Sequence, residues 1–404
     1  MMDKPLTGIR VLDLSRILAG PWCSQHLADM GAEVIKVEHP ERGDDTRGWG
    51  PPYLQGTRDA AYYLCTNRGK QSIAVDIARE EGQALIHELV RHCDVVLENF
   101  KAGGLKRYGL DYESLKASRP DLVYCSITGF GQSGPYARRA GYDFLVQGMG
   151  GLMDITGRPD SEPGGGPIKT GVAVVDLFTG MYAATSILSA LIGRQRSGEG
   201  AYIDMALMDV QVSMLANQAM NYLTSGASPE RLGNSHPNIV PYQAFATADG
   251  HIILAVGNDA QFQRFCTVAG EPDLAADTRF ATNQARVDNR DRLVAQLETL
   301  IAARPSAFWL EALEAEGVPC GPINRVEQVF DNPQVQHRGM QMSMSHPDAG
   351  DMSLVSNPVC FGGEKLNADR PPPGLGEHTR DVLSAFCPDS ASDLEALAHK
   401  GIIR

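Results

Sequence analysis

No two of the eight cysteines (Cys23, Cys65, Cys93, Cys125, Cys266, Cys320, Cys360, Cys387) stand at Cys-x-x-Cys spacing, and they lie far apart in the chain. That pattern excludes a disulfide framework and a zinc finger, and it fits a compartment where cysteines serve as small hydrophobes. Positive charge is scarce too: 36 Lys and Arg stand against 49 Asp and Glu, a net −13 with a pI near 5.2. A basic surface for nucleic acid or anionic membranes is therefore not expected, although local basic sites for an anionic ligand remain open. Met1-Met2-Asp3-Lys4-Pro5-Leu6 has no apolar leader core. No later run is expected to reach the roughly 18 apolar residues of a spanning helix. These absences predict a soluble, cytoplasmic chain.

The common ligand signatures are also missing. Gly148-Met149-Gly150-Gly151-Leu152-Met153 lacks the third glycine of a dinucleotide fingerprint, and Ile168-Lys169-Thr170 lacks the glycine that precedes a P-loop lysine. Gly131-Gln132-Ser133-Gly134-Pro135 is not a nucleophile elbow, and there is no His-Glu-x-x-His. No metal and no tightly bound cofactor is expected.

What is present is a chain of 404 residues, 43% apolar and 21% charged, enough for two or more domains with a large core. Ile9 to Leu14 reads as a strand, Gly20-Pro21 opens a helix to about Met30, and Glu33 to Glu38 reads as a second strand. Such βαβ units build parallel sheets. Further strands are expected at Ile73–Ile77, Val95–Leu97, Leu122–Ile127 and Ala201–Met205, with helices over about 79–92, 112–117 and 207–224. Gly43 to Thr57 is a long Gly, Pro and charge-rich excursion, the kind of loop that often carries function. Ser225 to Pro241 reads as a linker, and Tyr242 to Val256 as a hairpin turning at Asp249-Gly250. A last helix is expected near 391–400. The fold class is α/β: a large Rossmann-like domain over 1–224, a linker and small α+β domain over 225–330, and a segment over 331–404 that returns to the large domain.

One carboxylate stands out. The β-branched run from Pro167 to Val175 reads as a strand that ends at Asp176, and Leu177 to Leu191 follows with no charge and no proline, the composition of a buried helix. At such a corner Asp176 is either a helix N-cap or a carboxylate facing the crevice where open α/β sheets bind ligands, and both can hold at once. With Arg and Lys on other loops, the residues alone go as far as a phosphorylated carrier.

Six motifs carry a resemblance that goes further: Arg16-Ile17-Leu18-Ala19-Gly20-Pro21, Gly31 to Glu38, Gly43-Asp44-Asp45-Thr46-Arg47, Asn67-Arg68-Gly69-Lys70, Glu98-Asn99-Phe100 and Asp176-Leu177-Phe178-Thr179-Gly180-Met181. From about residue 6 to Leu375-Gly376-Glu377-His378-Thr379 the chain resembles the class III (CaiB/BaiF-type) CoA-transferases, the family of formyl-CoA transferase and carnitine CoA-transferase. Thr46 to Pro52, Tyr124 to Pro135, Ile239 to Phe245 and Gly321-Pro322-Ile323-Asn324 make it most similar to the dicarboxylate branch, which includes succinyl-CoA:glutarate CoA-transferase.

The resemblance implies an interlocked homodimer, with coenzyme A and acyl-CoA as substrates and small carboxylic acids as acceptors. It puts the family's nucleophile on Asp176, where a mixed anhydride and then an aspartyl-CoA thioester would form. Backbone N–H groups at the helix start are expected to keep Asp176 ionised. CoA contacts implied by position are Leu18, Ala19, His39, Asn67, Arg68, Gly69, Lys70, Asn99, Phe100, Lys101, Arg107 and Tyr142, with Asp143 beside them. His39 stands where relatives often carry arginine. Val256-Gly257-Asn258-Asp259 corresponds to the glycine loop that covers the intermediate in formyl-CoA transferase, with one glycine left, so Gly257 and Asn258 are substrate candidates. Arg47, Arg68 or Arg139 is expected to pair with the distal carboxylate of a dicarboxylic acid, because guanidinium offers a bidentate fork.

Two other readings stay open. An α-methylacyl-CoA racemase shares this fold but uses a His-Asp pair where this chain has Tyr142-Asp143, and tyrosine, with its high pKa, is a poor base. A non-catalytic acyl-CoA binder is the other.

Overall fold

The computed structural model describes residues 4–390 and 393–404. Two compact units emerge: Met1–Gly151 with Thr170–Met220 and Pro333–Arg404, and Leu152–Lys169 with Asn221–Asn332. The segment Leu152–Lys169 thus falls with the second unit, where the sequence reading had kept it in 1–224.

The first unit is built on six parallel strands: β1 (Arg10–Asp13), β2 (Glu33–Glu38), β3 (Lys70–Ala74), β4 (Val95–Glu98), β5 (Val123–Thr128) and β6 (Ala201–Ala206). Their order is β3-β2-β1-β4-β5-β6. Strands β4 and β5 are buried along their whole length, as expected for a sheet covered on both faces, whereas edge strand β6 alternates. One face packs against α2 (Glu80–Val90) and two C-terminal helices, through Leu85, Leu89, Val382, Leu383, Leu394 and Leu397. Residues 391 and 392 of the expected final helix lie outside the described residues, and the helix itself runs Leu394–His399.

The other face carries α1 (Ala19–Asp29) and the long α4 (Val174–Ser197), with α3 (Asp143–Met149) before it and α5 (Leu207–Met214) after it. Helix α4 is long and apolar enough to cross a membrane by length and composition, with a mean hydropathy of 1.5 over 18 residues, so the expectation that no run would reach that length is corrected. Its use here is different. Val175, Ala183, Ala184, Ile187 and Leu191 recur on one face and pack with Ala19, Cys23 and Leu27 in a core against the sheet. Gly180 permits this approach: a Cβ there would lie 2.6 Å from the Ala19 carbonyl oxygen. That contact brings the start of α1 beside the start of α4.

The strand expected over 167–175 does not form. Residues 167–173 are irregular, Ile168 and Val172 are exposed, and α4 begins at Val174. Strand preference is realised only where a sheet edge accepts the segment, and here the helical burial period starting at Val175 takes the valines instead.

In the second unit β7 (Tyr242–Ala246), β8 (His251–Ala255) and β9 (Cys320–Pro322) form an antiparallel sheet around the expected Asp249-Gly250 turn. Phe245, Phe262, Phe265, Leu297 and Trp309 fill its core.

Candidate active site

In a doubly wound sheet, the crevice for a ligand opens where the strand order reverses, beyond the carboxyl ends of the strands. Here that point lies between β1 and β4. A cavity of about 450 Å³ opens there, walled by Arg16–Ala19 after β1, Asn99–Ala102 after β4, Thr128-Gly129 after β5, the stretch Ala137 to Tyr142, and Asp176. Asn99 ties the first two walls together: its Nδ2 donates to the Arg16 carbonyl at 2.6 Å and its Oδ1 accepts the Arg16 N–H at 3.0 Å. A second cavity of about 240 Å³ holds His39 and Arg42 and shares Arg16, Phe100 and Arg107 with the first.

Asp176 sits in the first turn of α4, three residues after the N-cap Ala173, so it is neither the cap nor a strand-end residue. The cap function belongs to Asp143. Its Oδ2 accepts the N–H of Val175 at 2.8 Å and of Asp176 at 3.3 Å, and its Oδ1 accepts from Gln147 Nε2 at 2.6 Å. The Val174 N–H goes to the Val172 carbonyl. The donors expected to hold Asp176 ionised are therefore consumed, and the expectation reverses: burial, then the neighbouring charge of Asp143, push the Asp176 carboxyl up to about 7. Tyr62 completes this cluster, its phenol raised to about 12 by burial and by Asp176. Trp49 packs edge-on against Tyr62 at 5.3 Å, which brings the Thr46 to Pro52 motif to the same place.

Several positions named from the sequence come together. Leu18, Ala19, Asn99, Phe100, Lys101, Arg107, Arg139 and Tyr142 line the cavity with Asp176, and His39 lines its neighbour. The Asn67-Arg68-Gly69-Lys70 segment turns inward instead. Lys70 is fully buried, donates to the Pro21 carbonyl at 3.0 Å and to Asn67 Oδ1 at 2.9 Å, and burial lowers its pKa to about 8. Asn67 Nδ2 donates to the Tyr63 carbonyl at 2.7 Å. A Cβ on Gly69, whose φ is +78°, would clash with that of Ala368. These residues brace the turn that starts α1 rather than face the cavity.

Two of the three arginines offered for a distal carboxylate are also committed elsewhere. Arg68 pairs with Asp29, Nε to Oδ1 2.8 Å, and donates to the Val355 carbonyl at 2.8 Å. Arg47 is buried and spends all three nitrogens: on Glu38 at 2.8 and 2.7 Å, on Asp59 at 2.7 Å, and on the Tyr63 hydroxyl at 2.6 Å. The expectation narrows to Arg139. In the second unit, Asn258 caps the helix Asp259–Ala269, and the Gly257 N–H donates to Gln261 Oε1 at 2.7 Å.

Sequence reading missed Tyr62, which lies between motifs, and the roles of Asp143 and Asp44. Asp44 accepts the Ile17 N–H at 3.2 Å and pairs with Lys36 at 2.8 Å, so a buried ion pair holds the cavity wall. The Gly43-Asp44-Asp45-Thr46-Arg47 motif was the signal for it.

A doubly wound sheet with cationic loops at its switch point and, among the described residues, one unpaired carboxylate in the cavity defines an enzyme site for an anionic carrier ester. The family model of CoA-transferase family III matches residues 6–379, and the chain belongs to that family. It is similar to the succinate–glutarate CoA-transferase of Agrobacterium fabrum, 54% identical over 384 residues that cover 94% of this chain and 95% of the relative. Human succinyl-CoA:glutarate CoA-transferase is 45% identical, covering 94% of this chain and 85% of its own length. A CAIB/BAIF family protein from Brucella suis superimposes with a TM-score of 0.84 at 52% identity, covering 95% of this chain and all of that one. The protein is a CoA-transferase, and CoA thioesters are its substrates.

Proposed function

We propose that this enzyme moves CoA between succinyl-CoA and glutarate through a covalent intermediate on Asp176. The observation that carries the reading is a carboxylate lining the switch-point cavity, to which no donor among the described residues is committed and whose pKa is raised to about 7. An ion so poorly solvated is basic, and once ionised it is a strong nucleophile. Relatives named for succinate and glutarate, at 54% and 45% identity, support the acid pair.

The ionised Asp176 attacks the thioester carbonyl of succinyl-CoA, the C–S bond breaks, and CoA thiolate leaves a succinyl-aspartyl anhydride. Thiolate then attacks the aspartyl carbonyl and succinate departs, leaving an aspartyl-CoA thioester. Glutarate attacks that carbonyl, thiolate leaves again, and its attack on the glutaryl carbonyl yields glutaryl-CoA and free Asp176. Each step exchanges a carboxylate for a thiolate, so no net proton moves. Asp143 supports transfer over α-proton exchange, because both its oxygens are occupied by Gln147 and the start of α4.

A cytoplasmic homodimer belongs to the same proposal. Phe178, Met181, Tyr182 and Ile192 of α4 and Val212 of α5 are exposed, which supports a partner chain on this side. Light scattering that gives a monomer mass at micromolar concentration would remove the dimer.

The test of the chemistry is incubation of the wild type and Asp176→Ala with succinyl-CoA and a panel of acids, CoA products read by mass, plus hydroxylamine trapping. Transfer to glutarate, its loss in the variant and a hydroxamate on Asp176 are expected. Undiminished transfer by Asp176→Ala overturns the covalent route.

A further inference from the structure

We propose that Arg139 is the residue that selects dicarboxylic acids, by taking the distal carboxylate while the reacting carboxylate lies at Asp176; this rests on the succinate–glutarate reading above. Arg139 lines the Asp176 cavity on the stretch that leads into Tyr142 and Asp143, the residue that caps α4. The cation selecting the acid therefore sits on the same segment that fixes the nucleophile.

Its guanidinium lies over two aromatic rings and, among the described residues, pairs with no carboxylate. The Cζ lies 4.6 Å from the Tyr136 ring and 5.6 Å from the Phe130 ring, and these rings meet edge to face at 5.6 Å. Contact with the two rings leaves the N–H groups of the guanidinium available, and a guanidinium can receive a carboxylate through two parallel hydrogen bonds.

The other cations on the cavity wall are less suited. Arg16 pairs with Asp45 at 2.9 Å. Arg107 lies over the Tyr108 ring at 4.4 Å and stands on the wall shared with the second cavity. Lys101 offers a compact ammonium without a planar fork. The requirement for a cation is chemical: Asp143 and Asp176 make this end of the cavity negative, and a second carboxylate on the acid enters it only against a matched positive charge.

The test compares glutarate with pentanoate, the acid of equal chain length without the second carboxylate, as acceptors from succinyl-CoA and from butyryl-CoA. In Arg139→Ala the KM for glutarate is expected to rise about tenfold or more, and the preference for glutarate over pentanoate in kcat/KM to fall by the same factor. Arg139→Lys recovers part of the preference. Arg139 is exposed, so folding is not at stake. An unchanged glutarate to pentanoate ratio in Arg139→Ala overturns the assignment while leaving the succinate–glutarate reading intact. A wild type that uses pentanoate as well as glutarate, or uses neither, overturns that reading and this assignment with it.

Discussion

Asp143, at the start of α3, accepts the backbone N–H of Asp176, in the first turn of α4, at 3.3 Å. The pairing has two effects of opposite sense. Asp143 uses up the helix-start donors that would otherwise favour an ionised Asp176, and its charge adds repulsion on top of burial. It also fixes the start of α4, so the reacting group is rigid and poorly solvated at once.

Activity therefore follows the ionisation of Asp176. The carboxylate is the reactive form and its pKa lies at about 7, so the rate of acylation falls about tenfold for each pH unit below that value and levels off above it. A single-turnover profile with succinyl-CoA, read between pH 5 and 9, checks this. A flat profile down to pH 5 contradicts the raised pKa.

The same shift has a cost in stability. Folding raises the Asp176 pKa from the ordinary 3.8 to about 7, so between those values the folded state holds a proton that the unfolded state has lost. Stability from this group is complete below about pH 4 and falls as pH rises to about 7. Asp176→Asn is consequently more stable than the wild type at pH 8, and the gap closes at pH 4. Melting curves of both proteins across that range decide it; a gap independent of pH counts against the argument.

Asp143→Asn removes the like charge but keeps an oxygen for the Val175 and Asp176 N–H groups. Its acid limb should move to lower pH than the wild type's, whereas Asp143→Ala should also lose helix-cap stability of about 1 kcal/mol. Equal pH profiles for wild type and Asp143→Asn would show that Asp143 acts on geometry alone.

The parallel sheet was legible in the sequence because its strands are buried on both faces and read as short apolar runs, as at Val95–Leu97. The Pro167 to Val175 run was misread because its valines suit a strand and a helix start equally, and only the sheet's own order shows that no edge receives it. Asp176 itself was legible through its motif. Its environment was not, since the acceptor of the α4 N–H groups comes from 33 residues earlier. Arg47 and Arg68 looked like ligands for the same reason: Glu38, Asp59 and Asp29 become their partners only in three dimensions.

Those arginines should behave as structural residues. Arg47→Ala leaves Glu38 and Asp59 without their cation in a buried site, a loss on the order of 3–5 kcal/mol. Denaturant unfolding should show it, and with protein kept below its new midpoint the KM for glutarate should hold. A normal midpoint with a raised KM would return Arg47 to the substrate site.

Ile17 is a β-branched residue at φ 72°, in the wall of the cavity. A conformation of that kind costs about 1–3 kcal/mol and persists only where its surroundings enforce it. The enforcement is Asp44, which accepts the Ile17 N–H and is itself fixed by Lys36 and by the Thr46 N–H at 3.0 Å. Burial opposes the charge on Asp44, yet Lys36 and Thr46 hold its carboxyl down at about 2, so the anchor is ionised at every working pH. Ile17→Gly should release the strain and raise Tm, while the loosened Arg16–Ala19 wall raises the KM for succinyl-CoA more than it lowers kcat. Asp44→Asn weakens the same anchor without releasing strain, so it should raise that KM and lower Tm together. If Ile17→Gly lowers Tm and leaves KM alone, the left-handed residue is a packing feature and the wall does not depend on it.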